Sequence, residues 1–356
     1  MSANGNGKRT HELVKEYYGE QLNDQRDLKT SACCSPDSIP EEHREILNKI
    51  EPEILQKFYG CGSPIPNALE GKTVLDLGCG TGRDVYLVSK LVGPRGFVIG
   101  IDMTDSQLHI AQKHLDTQME RFGFNKPNAD FRKGYIEDMT SAGIEDDSID
   151  VVISNCVINL SSDKKSVFKE IFRVLKPGGE LYFSDIFSGR RIPEALQNDP
   201  VLLGECLAGA LYIEDFRRLL REIGCPDYRI ISKRAVNTDA PEIEAKIGMV
   251  DFYSITLRAF NLDNLEDICE DYGQVVIYKG TLPDSPHRFM LDDHHVFFTG
   301  KPMLVCGNTA AMLQETRYSD YFEIIGDRST HYGSFDCKPS AAFLVNQETN
   351  VGGSCC

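Results

Sequence analysis

Residues 74–84, VLDLGCGTGRD, decide the fold of this chain. Their apolar start predicts a short buried strand, and the residues that follow predict a tight turn that opens a helix. Three glycines stand in this turn in GxGxG spacing, at Gly78, Gly80 and Gly82. Glycine lets a backbone turn sharply and approach a ligand closely. A dinucleotide fingerprint would need a glycine at Arg83, so this turn, with Asp76 just before it, departs from that fingerprint.

Strands and helices alternate along the chain after this turn. Strands are predicted within residues 96–102, 129–139, 148–160 and 164–187, the last of them after a helix and a Pro-Gly-Gly turn. Helices are predicted at residues 83–93 and 106–124, and further helices that cover the sheet are predicted within 193–224. The final strands are predicted at residues 227–236 and 252–260. This order predicts an α/β fold with a Rossmann-like, mostly parallel sheet and helices on both faces. Ligands of such sheets bind outside the carboxyl ends of the strands.

Changes in composition divide the chain into four predicted segments. Residues 1–60 read as an N-terminal helical segment with a mobile thiol loop, and residues 61–262 as the domain that contains the sheet. Residues 263–345, with short strand-like pieces between turns, predict a small C-terminal α+β domain. Residues 346–356 predict a flexible tail that contains cysteines, because glycines precede its terminal Cys-Cys pair.

Composition restricts the classes of function. The chain has 356 residues, a hydrophobic fraction of 41% and a formal net charge of −16. The negative charge argues against a nucleic acid or an anionic membrane as partner. No apolar run is long enough to span a bilayer, and the first residues have no apolar signal core. We therefore expect a cytoplasmic enzyme that acts on a small molecule. The sequence leaves the oligomeric state open, a monomer being one of the alternatives.

Asp102 adds a second signal for a cofactor. It ends the strand predicted in residues 96–102, where a carboxylate can accept hydrogen bonds from both hydroxyls of a ribose. A glycine-rich turn alone would be a weak signal. The strand, the GxGxG turn, the helix, the next strand and Asp102 together predict a cofactor that contains a nucleoside.

Residues 60–260 resemble the class I S-adenosylmethionine-dependent methyltransferases, on the glycine turn, Asp102, the loop GYIEDM (134–139) and the segment LKPGGELYFSD (175–185). The resemblance implies S-adenosylmethionine as cofactor, with Ile136 and Glu137 near its adenine. It also implies that Asn155 and the loop around Cys156 lie beside the methionine part, and that Met103 lies against the adenosine. Taken singly, Met103 fits core packing equally well.

Cysteine is the unusual residue of the predicted acceptor side. The chain has 12 cysteines but no CxxC pair, which argues against a structural zinc knuckle. The acceptor loop SNCVINL (154–160) offers no side chain that could act as a base. Thiols stand in it and elsewhere instead, at Cys33, Cys61, Cys156 and Cys206. Thiolates prefer soft partners, so these residues suggest a soft element as substrate, although Cys156 and Cys206 alone fit packing as well as chemistry. Four other cysteines are expected to be buried or inert, at Cys225, Cys269, Cys306 and Cys337.

Nearly the whole chain resembles the arsenite methyltransferase family. The shared segments are YYG (17–19), DLKTSACC (27–34), YGCG (59–62), SNCVINL, GECLAGAL (204–211), FYSITLRAF (252–260) and the terminal cysteine pair. The resemblance implies that the thiolates of Cys156 and Cys206 hold trivalent arsenic, with Cys61 as a further arsenic ligand. It also implies that Cys33 and Cys61 form a mobile thiol pair, in which Cys34 is the alternative to Cys33.

The reaction that this resemblance implies needs no protein base, because the arsenic lone pair is the nucleophile. Methyl groups would pass from S-adenosylmethionine to thiol-bound arsenic, giving mono- and dimethyl arsenicals for detoxification, with trimethyl products left open. A thiol pair could return two electrons to arsenic by closing a disulfide, and glutathione or thioredoxin would reset it. Two alternatives remain: a methyltransferase of another small molecule, and a protein that binds and sequesters soft metals.

Overall fold

A mixed sheet forms the centre of the molecule in a computed structural model that describes residues 39–56, 60, 62–197, 199, 202, 206–236, 241–247 and 250–337. The strands of this sheet are β1 (Thr73–Leu77), β2 (Phe97–Asp102), β3 (Ala129–Lys133), β4 (Ile149–Asn155), β5 (Leu175–Ser188), β6 (Leu211–Tyr212), β7 (Tyr228–Ala235) and β8 (Phe252–Phe260). Their order is β3-β2-β1-β4-β5-β8-β7, and the short β6 pairs with β5.

Most strand pairs of this sheet are parallel. β2 pairs with β1 and β3, and β4 pairs with β1 and β5, all in parallel. β8 runs antiparallel between β5 and β7. The predicted Rossmann-like, mostly parallel sheet is therefore confirmed.

Helices cover both faces of the sheet. The described helices are α1 (Glu41–Leu47), α2 (Pro52–Gln56), α3 (Arg83–Val92), α4 (Asp105–Lys113), α5 (Leu115–Phe122), α6 (Lys164–Val174), α7 (Glu194–Gln197), α8 (Ile213–Glu222), α9 (Pro241–Ile247) and α10 (Gly307–Gln314). Successive residues of β1 enter different cores, because side chains alternate across a strand. Val74 packs with α3, whereas Leu75 packs with α6 and α8. No helix in the described part of the chain is long and apolar enough to cross a bilayer.

Local details differ from the sequence prediction at two places. The helix expected over residues 106–124 is two helices, α4 and α5, which are separated at His114. Lys113 and His114 both contact Glu53 of α2 at this break, which is a tertiary contact that periodicity does not show. The Pro-Gly-Gly turn lies within β5, whose pairing with β4 jumps from Leu175 to Glu180 and so accommodates the turn as an irregularity.

A small α+β unit follows the sheet, as predicted. It contains β9 (Glu270–Asp271), β10 (Val275–Tyr278), β11 (Arg288–Met290), β12 (Val296–Phe298), β13 (Pro302–Leu304), β14 (Phe322–Ile325), β15 (Gly333–Ser334) and α10. Its strands form small antiparallel pairings, and aromatic side chains fill its core. The predicted tail, residues 346–356, lies outside the described residues.

A buried charge cluster joins this C-terminal unit to the sheet. Glu180 of β5 pairs with Arg258 of β8 and with Arg317, and all three side chains are at most 4% exposed. Arg258 also donates hydrogen bonds to the Leu291 carbonyl and the Tyr318 hydroxyl. The cluster therefore fixes two loops of the C-terminal unit on the edge of β5 and β8.

We predict that Arg258→Met lowers the free energy of unfolding by about 3–5 kcal/mol, because it leaves the Glu180 carboxylate buried without one of its cations. Urea denaturation followed by circular dichroism would measure the change. The control is Arg95→Met, whose partner Glu70 is exposed and whose loss should cost less than about 1 kcal/mol. Similar small losses for both variants would contradict a stabilising role for the buried cluster.

Candidate active site

A cleft with an empty volume of about 1020 Å³, including its open mouth, lies at the carboxyl ends of β1, β2 and β4. Most of the residues predicted for the cofactor line it, namely Asp76, Gly78, Gly80, Asp102, Met103, Ile136, Glu137 and Asn155. Cys156 lines it as well. Gly82 stands at the start of α3 instead and is not part of the lining. The fold thus gathers residues that are up to 80 positions apart in sequence.

The glycine turn needs its glycines for conformation and for space. Gly78 and Gly80 have φ angles of 67° and 53°, in the left-handed region that other residues adopt rarely. A Cβ at Gly78 would lie 2.5 Å from the Val157 side chain, whereas one at Gly80 would meet nothing within 4 Å. The backbone at Gly80 therefore borders open space on the cleft side of the turn.

Two backbone amides orient the Asp102 carboxylate. Gly80 N donates to Oδ2 at 2.9 Å, and Thr104 N donates to Oδ1 at 2.8 Å. Burial raises the pKa of Asp102, and these backbone hydrogen bonds oppose the rise. Asp102 is therefore a fixed acceptor at the wall of the cleft, and it also ties the glycine turn to the end of β2.

Carboxylates concentrate around the base of the cleft. Burial, with the nearby charges of Asp84 and Asp102, raises the pKa of Asp76 well above its usual range. Asp84 lies at the start of α3 and forms a buried ion pair with Arg83, whose NH1 is 3.2 Å from its Oδ1. A positively charged ligand group would stabilise the ionised form of these carboxylates, so the cleft suits such a group.

Asn155 joins three parts of the site. Its side-chain amide donates to the Gly62 carbonyl at 3.0 Å and to Asp84 Oδ2 at 3.1 Å. Gly62 lies so close to β5 that a Cβ there would be 2.5 Å from Ser184 Oγ. The chain at residue 62 is therefore held at the carboxyl end of β4 and β5.

Cys156 and Cys206 come together beside this cleft. Cys206 Sγ lies 3.5 Å from the carbonyl oxygen of Cys156, and both residues are at most 2% exposed. Their φ angles of 57° and 61° make them two of the four described non-glycine residues with positive φ. Such backbone strain costs of order 1–3 kcal/mol and is concentrated at functional sites. A hydrogen bond from Cys156 N to the Ser184 carbonyl, 2.9 Å long, helps to hold the strained turn.

The oxidation states of the thiols differ. Cys156 is disulfide-bonded, whereas the other cysteines within the described residues are free thiols. Cys33, Cys34 and Cys61, which the sequence analysis assigned to the thiol pair, lie outside the described residues.

A buried polar group supports the Cys156 loop from below. Asp185 accepts hydrogen bonds from the backbone and the side-chain amide of Asn159, and Lys164 donates to the carbonyls of Asn159 and Ser161. Burial raises the pKa of Asp185 to about 7, and burial lowers the pKa of Lys164 to about 8. Gly209, from the Cys206 segment, packs so tightly on this loop that a Cβ would lie 1.9 Å from the Asn159 carbonyl oxygen.

The sequence analysis missed several of these residues. Asp84 and Tyr135 line the cleft, and Asp185 and Lys164 support the thiol loop. Two weak signals were present: Asp84 follows the glycine turn by two residues, and Asp185 ends the quoted segment LKPGGELYFSD. Lys164 carries no local signal, because its role depends on how the first turn of α6 packs against the loop.

Asp185 gives a testable dependence of stability on pH. Because its pKa is raised from 3.8 to about 7 in the folded protein, its contribution to stability is full in acid and is lost as the pH rises through about 7. The free energy of unfolding of the native chain minus that of Asp185→Asn should therefore fall between pH 4 and 7. Urea denaturation at a series of pH values would measure this difference.

Asp163→Asn is the control for this experiment. Hydrogen bonds from Ser166 hold the pKa of Asp163 below its usual range, so its contribution should be constant between about pH 5 and 7. A constant difference for Asp185→Asn over the same interval would contradict the raised pKa of Asp185.

Comparisons with known proteins agree with this geometry. A family model described as a methyltransferase domain matches residues 68–224. A second model, described as the arsenite methyltransferase C-terminal domain, matches residues 272–351. The crystal structure of an arsenic(III) S-adenosylmethionine methyltransferase from Chlamydomonas reinhardtii superposes with a TM-score of 0.81 at 50% identity. That match covers 84% of this chain and all of the algal chain.

Two relatives extend the match over most of the chain. The arsenite methyltransferase of Aquipseudomonas alcaligenes is 49% identical over 347 residues, which cover 97% of this chain and all of the relative. The arsenite methyltransferase of Homo sapiens is 41% identical over 321 residues, covering 88% of this chain and 84% of the relative. Since identity of this level extends through both the sheet domain and the C-terminal unit, the chain belongs to the arsenite methyltransferase family.

Proposed function

We propose that Cys156 and Cys206 hold trivalent arsenic beside the cleft while it receives a methyl group from S-adenosylmethionine. The overall reaction, methylation of arsenite with this donor, follows from membership of the family. The observation that carries the assignment of the two thiols is their convergence: both are buried, both have strained backbones, and Cys206 Sγ touches the Cys156 backbone.

The residues of the cleft fit the donor. Asp102 is positioned to accept hydrogen bonds from ribose hydroxyls, and Ile136 and Glu137 line the part proposed for the adenine. Asn155 directly precedes Cys156 and donates to Asp84, and with Asp76 these polar groups of the lining suit a sulfonium and its amino acid part. Met103 both lines the cleft and packs against the core that contains Cys156 and Cys206, so packing and binding need not exclude each other.

The chemistry of the thiols matches a soft acceptor. When bound, the donor supplies a methyl group whose bond electrons leave with its sulfur, while the arsenic lone pair forms the new bond to carbon. The protein's task is to hold the arsenic, align it and exclude water. Two thiolates can do this without a base, because no proton leaves the arsenic.

The reaction cycle needs a reductant to balance its electrons. Methyl transfer formally oxidises arsenic by two electrons, and a pair of thiolates can return them by closing a disulfide. We propose Cys33 and Cys61 as that pair, reset by glutathione or thioredoxin in a reducing compartment such as the cytoplasm. Two observations support thiol exchange at this place. Cys156 is disulfide-bonded, so the same reductant must release its thiolate before it can hold arsenic. Gly62, the neighbour of Cys61 in sequence, lies against Ser184, whose carbonyl accepts from Cys156 N.

Loss of the Asp102 carboxylate should weaken donor binding. Asp102→Ala is expected to raise the Kd for S-adenosylmethionine at least about tenfold, because charge-assisted hydrogen bonds contribute roughly 1.5–3 kcal/mol each. Affinity for arsenite should change little, since Asp102 is not one of the proposed arsenic ligands. Titration calorimetry with each ligand would measure both.

Two further variants distinguish the loss of the donor contact from a defect in folding. Asp102→Asn keeps the size of the side chain and should still weaken donor binding, because it loses the charge. Asp105→Ala removes a carboxylate that is 75% exposed and pairs with Lys133, and it should leave both affinities unchanged. If Asp102→Ala binds the donor as tightly as the native chain, the proposed ribose contact is wrong.

The four thiols should fall into two classes. Cys156→Ser and Cys206→Ser are expected to abolish all methylation, because a hydroxyl does not replace a thiolate on a soft centre. Cys33→Ser and Cys61→Ser should block methylation of arsenite but spare monomethylarsenite, which already has carbon in one coordination position. Each variant would receive both substrates with excess reductant, and the arsenic products would be separated and quantified.

Cys225→Ser is the matched control for these variants, because Cys225 is a buried free thiol that hydrogen-bonds the carbonyls of Asp227 and Phe260, away from the cleft. It should keep both activities. Methylation of monomethylarsenite by Cys156→Ser would show that the two-thiolate site is misplaced. Equal losses on both substrates for all four variants would contradict the division between holding and relaying.

A further inference from the structure

A second group of thiols lies in the C-terminal unit. The sulfur atoms of Cys269, Cys306 and Cys337 all lie within 4.8 Å of one another. We propose that these three thiolates form a second binding site for trivalent arsenic, separate from the site of methyl transfer. The proposal does not depend on the roles given to Cys156 and Cys206.

The fold builds this group from three distant segments. Cys269 immediately precedes β9, and Cys337 stands three residues after β15. β9 and β15 pair with each other, and Phe335 N donates to the Cys269 carbonyl at 2.8 Å, which extends the pairing. Cys306 is the N-cap residue of α10 and lies opposite this ribbon. The three thiols are therefore positioned by hydrogen-bonded backbone.

The surroundings favour a thiolate at Cys306. Arg229 of β7 reaches the group, with its NH2 3.8 Å from Cys306 Sγ. Asp227 and Asp292 hold the same guanidinium by ion pairs, and its side chain is only 9% exposed. The hydroxyl of Thr309 lies 3.2 Å from Cys306 Sγ. The amino-terminal end of α10 adds a partial positive charge at Cys306.

The number and type of ligands select the occupant. Soft sulfur donors select soft metals and metalloids. Zinc at structural sites is almost always four-coordinate, but the described residues add no fourth His, Cys, Asp or Glu to this group. Trivalent arsenic keeps a lone pair and is satisfied by three sulfurs. All three cysteines are free thiols, so binding requires no prior reduction. Three As–S bonds replace the three As–O bonds of arsenous acid, and the three thiol protons leave with the hydroxyl groups as water.

The site lies in a different part of the molecule from the reacting thiols. Cys156 and Cys206 belong to the core beside the cleft, whereas the three thiols follow the sheet in sequence and contact it through Arg229. Bound arsenic would cross-link the β9–β15 ribbon to α10. Because a ligand that binds only the folded state stabilises it, arsenite should stabilise the C-terminal unit even where no methylation can occur.

The test uses the full chain, without the thiols proposed for the other sites and without the two vicinal cysteine pairs. The residues changed to serine in this background are Cys33, Cys34, Cys61, Cys156, Cys206, Cys355 and Cys356. A phosphine replaces thiol reductants, which would compete for arsenite. We expect this background to bind one arsenite per chain and to melt at a higher temperature in its presence. X-ray absorption at the arsenic edge should show three sulfur neighbours.

Single additions to this background identify the ligands. Cys306→Ser and Cys337→Ser should each weaken arsenite binding by more than about 100-fold. Removing a group that only orients a metal ligand typically costs about 10–100-fold in affinity, so a larger loss identifies a direct ligand. Cys225→Ser should leave it unchanged. Cys337 is partly exposed, so its variant tests the site even if the buried Cys306→Ser fails to fold.

Three results would overturn the proposal. One is a background chain that binds no arsenite, whether or not it binds zinc. Another is arsenite binding that survives Cys337→Ser. The last is a disulfide among the three thiols, found by mass spectrometry under the same conditions.

Discussion

Backbone hydrogen bonds between the parallel strands β1 and β4 align Leu77 with Ser154, and the rest of the site depends on this register. Since both strands run in the same direction, the glycine turn that follows β1 and the thiol loop that follows β4 leave the sheet at the same edge. The turn and the loop are so close that a Cβ at Gly78 would lie 2.5 Å from the Val157 side chain. A shift of one residue would turn every side chain of β4 to the opposite face.

Burying carboxylates at this edge of the sheet costs free energy. Asp76, Asp84 and Asp102 lie near one another, and burial disfavours the charged form of Asp76 and Asp102. A bound cation relieves such crowding, which is a physical reason for this cleft to favour a sulfonium. Asp185 and Lys164 stabilise the strained loop beneath the thiols through hydrogen bonds to Asn159 and Ser161 and do not line the cleft.

The C-terminal unit is tied to the sheet by two buried arginines of neighbouring strands. Arg258 of β8 reaches Leu291 and Tyr318, and Arg229 of β7 reaches Asp292 and Cys306. His295 completes the second contact by pairing with Asp292. Each arginine thus connects one of the last two strands of the sheet to a turn of the unit, and the second also connects the sheet to the three free thiols through Cys306.

The sequence by itself determined the parts of this protein that depend on near neighbours. Alternating apolar and helical segments determined the parallel sheet, the GxGxG turn determined its ligand loop, and the end of a strand determined the place of Asp102. The shared segments around Cys156 and Cys206 determined the family.

Tertiary structure alone decided that β8 inserts between β5 and β7, that Lys164 folds under the thiol loop, and that both thiols adopt left-handed backbones. It also decided that Cys269, Cys306 and Cys337, which look inert one by one, meet at a single point. Periodicity and spacing report contacts within a few residues, whereas these thiols are 31 to 68 positions apart in sequence, and only strand pairing and domain packing bring them together.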